Sequence, residues 1–180
     1  MEAKKIFLRI ISVGAAIIII SGGYIINKAF TGNTKFEEEE VFVYVQTNSK
    51  YEDVKKILAP YIENQAKIDW VASKRDYDSN VKPGKFLLKK GMSSFSIVRA
   101  LRLNTPVKLA FNNQEKVQDL FVRIASQIEP DSTKLNEIFT NDTFLQENGL
   151  NKDNVMSFFI PNSYEFYWNI SPEEFAEKLT

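Results

Sequence analysis

Lys82-Pro83-Gly84-Lys85-Phe86-Leu87-Leu88-Lys89-Lys90-Gly91-Met92-Ser93-Ser94 carries a turn, a strand and a helix start in succession. Pro83 and Gly84 supply the fixed and the permissive torsions of a turn. Residues 85–88 follow as a short strand. The stretch Gly91-Met92-Ser93-Ser94 then opens a helix, with serine hydroxyls to cap it and Phe95, Ile97, Val98 and Leu101 for its apolar face. The flanks extend this mixture of strand and helix.

Upstream, Val41-Phe42-Val43-Tyr44-Val45 is a run of β-branched and aromatic residues and predicts a strand. Thr47-Asn48-Ser49 offers turn and capping side chains before a helix in which Val54, Ile57, Leu58 and Tyr61 recur at helical spacing, with Pro60 near its end. A second helix contains Ile68, Trp70 and Val71. Downstream, Pro106-Val107-Lys108-Leu109-Ala110-Phe111 predicts a further strand. Strand, helices, strand, helix, strand is the order of a small α+β domain, expected over residues 41–111. From Glu115 the texture turns helical. Val117, Leu120, Phe121, Ile124 and Ile128 share one apolar face, Pro130-Asp131-Ser132 closes it, and 134–139 and 141–147 read as short helices.

Residues 10–26 run 17 positions without a charge, including Ile17-Ile18-Ile19-Ile20. With Ile6, Phe7 and Leu8 the apolar stretch reaches about 20 residues, enough to cross a hydrocarbon core. It has no polar stripe of the kind a buried amphipathic helix carries. Gly22-Gly23-Tyr24-Ile25-Ile26 continues apolar where a cleaved signal would offer small residues for processing. The expectation is a transmembrane helix at 6–26 after a cytoplasmic tail at 1–5. Lys4, Lys5 and Arg9 put the N-terminus in the cytoplasm and the bulk of the chain on the other side. Residues 27–40 read as a polar linker. Its Glu37-Glu38-Glu39-Glu40 is either a solvated spacer or a cation-binding run.

Composition excludes several functions. With 44% hydrophobic and 26% charged residues the chain is of the folding kind. Twenty-three basic residues balance 23 acidic ones, so the basic excess of a nucleic-acid binder is missing. There is no Cys and no His. Disulfides, thiol catalysis, thiolate metal sites and a Ser-His-Asp triad are therefore excluded. Proton transfer has only Asp, Glu, Lys or Tyr to use, and no metal or cofactor is expected.

Three segments in order carry a family resemblance. Pro83-Gly84-Lys85-Phe86-Leu87-Leu88-Lys89-Lys90-Gly91-Met92-Ser93 resembles the "aG-x-Y-x-L-x-x-G-M-S" stretch of the MltG/YceG-like endolytic murein transglycosylases. The strand at 106–111 resembles the one that leads into that family's next segment. Phe159-Ile160-Pro161-Asn162-Ser163-Tyr164-Glu165-Phe166 resembles its "L-F-P-D-T-Y-x-F" motif. The resemblance covers nearly all of the chain beyond residue 40. It implies a bacterial inner-membrane protein with a LysM-like α+β subdomain at 41–111 and the beginning of a mixed α/β catalytic subdomain at 112–180. The implied activity cleaves peptidoglycan strands in the periplasm between N-acetylmuramic acid and N-acetylglucosamine. It leaves a 1,6-anhydro end and terminates nascent strands during cell-wall assembly. Cell-wall synthesis proteins are candidate partners.

The sequence also departs from the family. Met156-Ser157 stands where the family has Glu-Gly before its aromatic pair, and Pro161-Asn162-Ser163 where it has Pro-Asp-Thr. The family's catalytic Glu belongs to a downstream helical "A-S-I-x-E-K-E" motif that these 180 residues do not contain. Ser171-Pro172-Glu173-Glu174 is a well-signalled helix start, and Phe175 and Leu179 begin an apolar stripe that Thr180 ends. The expectation is the front part of a longer protein, with no assured catalytic acid.

Lytic cleavage needs one carboxylic acid, which protonates the leaving oxygen and then helps the sugar's 6-hydroxyl attack. Glu165, within Tyr164-Glu165-Phe166-Tyr167-Trp168, is the acid in an aromatic setting. It is either an auxiliary acid or sugar-binding group, or a strand residue turned to solvent. Tyr164, Tyr167 and Trp168 form either a platform for sugar rings or part of a core. Asn162 and Ser163 either bind glycan or hold a turn after Pro161. A non-enzymatic, membrane-tethered LysM-like module that binds peptidoglycan is the alternative to the enzyme, and a plain bitopic scaffold is the third class.

Overall fold

The computed structural model of the chain describes residues 2–110, 114, 116–160 and 163–179. The chain is α+β and divides into two compact units. Unit 1 comprises Met1–Val43, Lys50–Val81 and Leu87–Arg102, and unit 2 comprises Tyr44–Ser49, Lys82–Phe86 and Leu103–Thr180.

Unit 1 begins with α1 (Glu2–Phe30). Within it Ile11–Phe30, 20 residues, is long and apolar enough to cross a membrane. At about 1.5 Å per residue this segment covers about 30 Å, the thickness of a hydrocarbon core. Ile17 and Ile20 are 61% and 72% exposed, whereas the core helix of a soluble protein would hide them.

The helix runs four residues past the expected boundary at 26, and the segment after it is folded into unit 1. Ala29, Asn33 and Phe36 are buried. Gly32 bridges to Ser93, and Thr34 to Ile62. The Asn33 amide explains the docking. Its Nδ2 donates to the Asn64 carbonyl at 2.9 Å and to Ser94 Oγ at 3.0 Å, while its Oδ1 accepts from the Asn64 N–H at 2.8 Å. A buried amide is tolerated only when its groups are paired, and this one is. Further on, Glu37 and Glu40 meet Lys90 at 3.0 Å and Lys89 at 2.8 Å. The acidic run and the two lysines thus pair with each other. Glu37 holds the Lys90 ammonium above its ordinary range by hydrogen bond and charge. At such exposed positions the pairs contribute little stability.

The remaining elements of unit 1 follow local rules. α2 (Tyr51–Leu58) buries Val54 and Leu58, one helical turn apart. In α3 (Gln65–Lys74) the Asn64 side chain caps the Lys67 N–H. In α4 (Ser94–Ala100) Ser93 Oγ accepts from the Ser96 N–H at 3.2 Å, which is the cap the sequence predicts. Two strands, β1 (Glu40–Val45) and β2 (Gly84–Lys89), pair with each other, and each contributes residues to both units.

Unit 2 rests on a second strand pair. β3 (Pro106–Ala110) lies antiparallel to β4 (Ser163–Tyr167), with Val107 opposite Phe166 and Leu109 opposite Tyr164. By sequence order β3 groups with the elements before it, but its hydrogen-bonding partner is the later strand β4. Helix α5 (Val117–Ala125) buries Leu120, Phe121 and Ile124. Short helices α6 (Ser132–Phe139) and α7 (Asp142–Glu147) are capped by Asp131 and Asn141. A 3-10 turn spans Val155–Phe158, where four residues give no period to read. Helix α8 (Pro172–Leu179) opens with a reciprocal cap: Ser171 Oγ accepts from the Glu174 N–H at 3.1 Å, and Glu174 Oε2 from the Ser171 N–H at 3.3 Å. Phe139 sits at the centre of the core, fully buried, with the rings of Phe159, Phe144, Phe121 and Phe175 4.8, 5.1, 5.7 and 5.9 Å away.

Candidate functional site

β4 and the turn into α8 carry most of the residues that the sequence singles out. Strand geometry sends alternate side chains to opposite faces, and the alternation decides the site. Phe166 is buried in the core of unit 2, and Tyr164 and Trp168 pack against that core, half-buried. Tyr164 stacks on Phe166 with ring centres 5.9 Å apart, and its hydroxyl donates to the Ile160 carbonyl at 3.2 Å. Trp168 meets the Tyr44 ring edge-on at 5.1 Å. Tyr167 points the other way and is 53% exposed. The three aromatic residues named for a sugar platform therefore divide, two inward and one outward.

Glu165 shares the outer face with Tyr167. It lies opposite Lys108 in the strand register, its carboxylate is 4.0 Å from Lys108 Nζ, and its side chain is 64% exposed. Water and a cation surround it, not an apolar wall. Ser163 pairs through β4 with Ala110, while Asn162 lies outside the described residues.

Next to Tyr167 is a surface cleft of about 580 Å³, lined also by Asn169, Ile170, Glu174, Glu177 and Lys178. An outward aromatic ring beside an amide, carboxylates and an ammonium is the mixture that sugar hydroxyls and ring faces use. The parity of β4 and the cap at Ser171 signal the outward Tyr167 and the start of α8, but not the cleft itself. Only the reversal of the chain between β4 and α8 brings the first turn of α8 beside Tyr167. Asn169 is itself anchored: its Oδ1 accepts from Asn104 Nδ2 at 2.8 Å, and Asn104 Oδ1 accepts from the Lys85 N–H at 3.0 Å.

That network explains the glycine of the Pro83-Gly84 turn. Gly84 has φ +143°, and a Cβ there would stand 2.5 Å from Cγ and Oδ1 of Asn104. Any side chain would have to displace an amide that is held at both ends.

A solved structure of the YceG-like protein lmo1499 from Listeria monocytogenes is similar at 17% identity and a TM-score of 0.39, over 79% of this chain and 54% of that one. The chain spans about half the length of that protein. No curated protein matches. The model of the YceG-like family matches residues 43–180, from within β1 through α8. A match over well more than half of the sequence settles the kinship: the chain belongs to the YceG-like family.

Proposed function

We propose that this protein is a membrane-anchored lytic transglycosylase of peptidoglycan, tethered by α1, with the chain after α1 on the periplasmic side of the inner membrane. The family match over 43–180 behind an apolar helix carries this reading. Lys4, Lys5 and Arg9 before the apolar run support the orientation. The order β1-α2-α3-β2, with β1 paired to β2, supports a LysM-like part near the membrane. The outward Tyr167 and the cleft beside it offer a surface for the glycan strand.

In the proposed reaction a carboxylic acid protonates the glycosidic oxygen, and its carboxylate then takes the proton of the muramic 6-hydroxyl as that oxygen closes on C1. No water enters, so the second carboxylate of an ordinary glycosidase is dispensable. The exposed setting of Glu165 favours a strand or binding role for it. The same setting favours, as a second reading, a tethered module that holds peptidoglycan without cutting it. Incubating the protein, purified from the membrane that makes it, with isolated glycan strands separates the two. Release of fragments with 1,6-anhydro ends supports the enzyme. Retention on murein without fragments overturns it in favour of the module.

A further inference from the structure

Where the end of α1 meets α3 and α4 within unit 1, cations and aromatic rings are interleaved. Lys28 Nζ lies 5.2 Å from the centre of the Tyr24 ring and 5.4 Å from that of Trp70, and donates to the Tyr24 hydroxyl at 2.9 Å. Lys67 Nζ donates to Thr31 Oγ1 at 2.9 Å. The Arg75 guanidinium stands 5.3 Å from the Phe95 ring, and Phe95 is 5.2 Å from Phe30, the last residue of α1. On α3, Lys67, Trp70 and Lys74 follow the three-and-four spacing of one helix face. Asp69, the acid of that helix, is taken up elsewhere by the Tyr51 hydroxyl and Gln65 Nε2, both at 2.8 Å. Among the described residues, none of Lys28, Lys67 and Arg75 forms an ion pair with a carboxylate.

The position of this collar along α1 is what gives it a partner. The apolar segment ends at Phe30, and about 30 Å of helix precedes that point. If α1 fills the hydrocarbon core, Lys28 and the rings around it lie at the level of the headgroups. Tyr and Trp favour this level, where one end of the side chain is apolar and the other wet. Cations without protein carboxylates at this depth meet phosphate oxygens, and a guanidinium can take two of them at once.

We propose that Lys28, Lys67 and Arg75, seated on Tyr24, Trp70 and Phe95, form a binding surface for the anionic phospholipid headgroups of the membrane that α1 crosses. The surface fixes how unit 1 stands on the bilayer, because α1 is docked into unit 1 through Asn33. The proposal rests on the reading of α1 as a membrane span, and the test keeps the two apart.

The full chain, carrying Trp168→Phe so that Trp70 alone emits, is reconstituted in vesicles of phosphatidylcholine and phosphatidylglycerol in equal amounts. Brominated acyl chains are placed on one lipid or on the other. Bromines on phosphatidylglycerol should quench Trp70 at least about twofold more than bromines on phosphatidylcholine. The combination Lys28→Gln, Lys67→Gln, Arg75→Gln should remove that difference. Equal quenching by the two lipids in the unsubstituted collar, with the chain resisting alkaline carbonate extraction, would overturn the headgroup site alone. Extraction of the chain by carbonate would overturn the span, and the headgroup site with it.

Discussion

Asn33 in unit 1 and Phe139 in unit 2 hold their surroundings by opposite means. Asn33 uses three hydrogen bonds to reach residues 31 and 61 positions away, and almost nothing in its local sequence announces it. Phe139 uses apolar contact with rings from α5, α7, α8 and Phe159. Hydrogen bonds are directional, so the amide fixes where the end of α1 sits. Apolar contact is cumulative and tolerant of angle, so the ring cluster supplies stability without dictating a single arrangement. The lesson is that directional bonds such as those of Asn33 set where the anchor attaches, while the aromatic core is spread over many tolerant contacts.

The two tryptophans, Trp70 in unit 1 and Trp168 in unit 2, allow this contrast to be attacked one unit at a time. The largest effect should come from Phe139→Ala, which empties a fully buried site. It should destabilise unit 2 by about 3–5 kcal/mol in urea unfolding followed by Trp168 fluorescence. Asn33→Ala should cost unit 1 about 2–3 kcal/mol, read through Trp70, because buried partners lose their bonds. A loss under about 1 kcal/mol would remove the amide from its assigned place. Gly84→Ala should cost about 2 kcal/mol, since it meets both an unfavourable φ and the Asn104 amide.

Tyr51 sharpens the contrast through pH. Burial, then the hydrogen bond to the Asp69 carboxylate, raises its hydroxyl well above the ordinary tyrosine range. The contribution is therefore fully present below about pH 10, where an unfolded tyrosine begins to ionise. It is lost as pH rises beyond that, toward the raised folded value. Phenolate absorbance should lose a component that titrates above the ordinary range when Tyr51 is replaced, and Tyr51→Phe should flatten the alkaline decline of unit 1. The smallest effect should be that of Glu165→Gln, within about 0.5 kcal/mol, because an exposed pair at 4.0 Å from Lys108 adds little. A larger change in melting would mean that the outer face of β4 is covered by something.

Much of the fold was legible because its signals are local. Val41-Phe42-Val43-Tyr44-Val45 and Pro83-Gly84 state their own conformations, and Ser93, Asp131, Asn141 and Ser171 cap the helices that follow them. The folded segment after α1 looks like a linker in the sequence because the partners of Asn33 are remote from it. The pairing of β3 with β4 was hidden for the same reason. The candidate site was half legible. The alternation of Tyr164, Phe166 and Trp168 with Glu165 and Tyr167 already sorts inner from outer residues. The cleft beside Tyr167 was not, since it exists only once α8 folds back.

Digestion of glycan strands in heavy-oxygen water, using the protein purified from its membrane, tests the central claim most directly. Lytic cleavage closes the 1,6-anhydro ring without solvent, so the new ends should carry no heavy oxygen by mass spectrometry. New ends bearing the label would mean hydrolysis, and would contradict the lytic transglycosylase account.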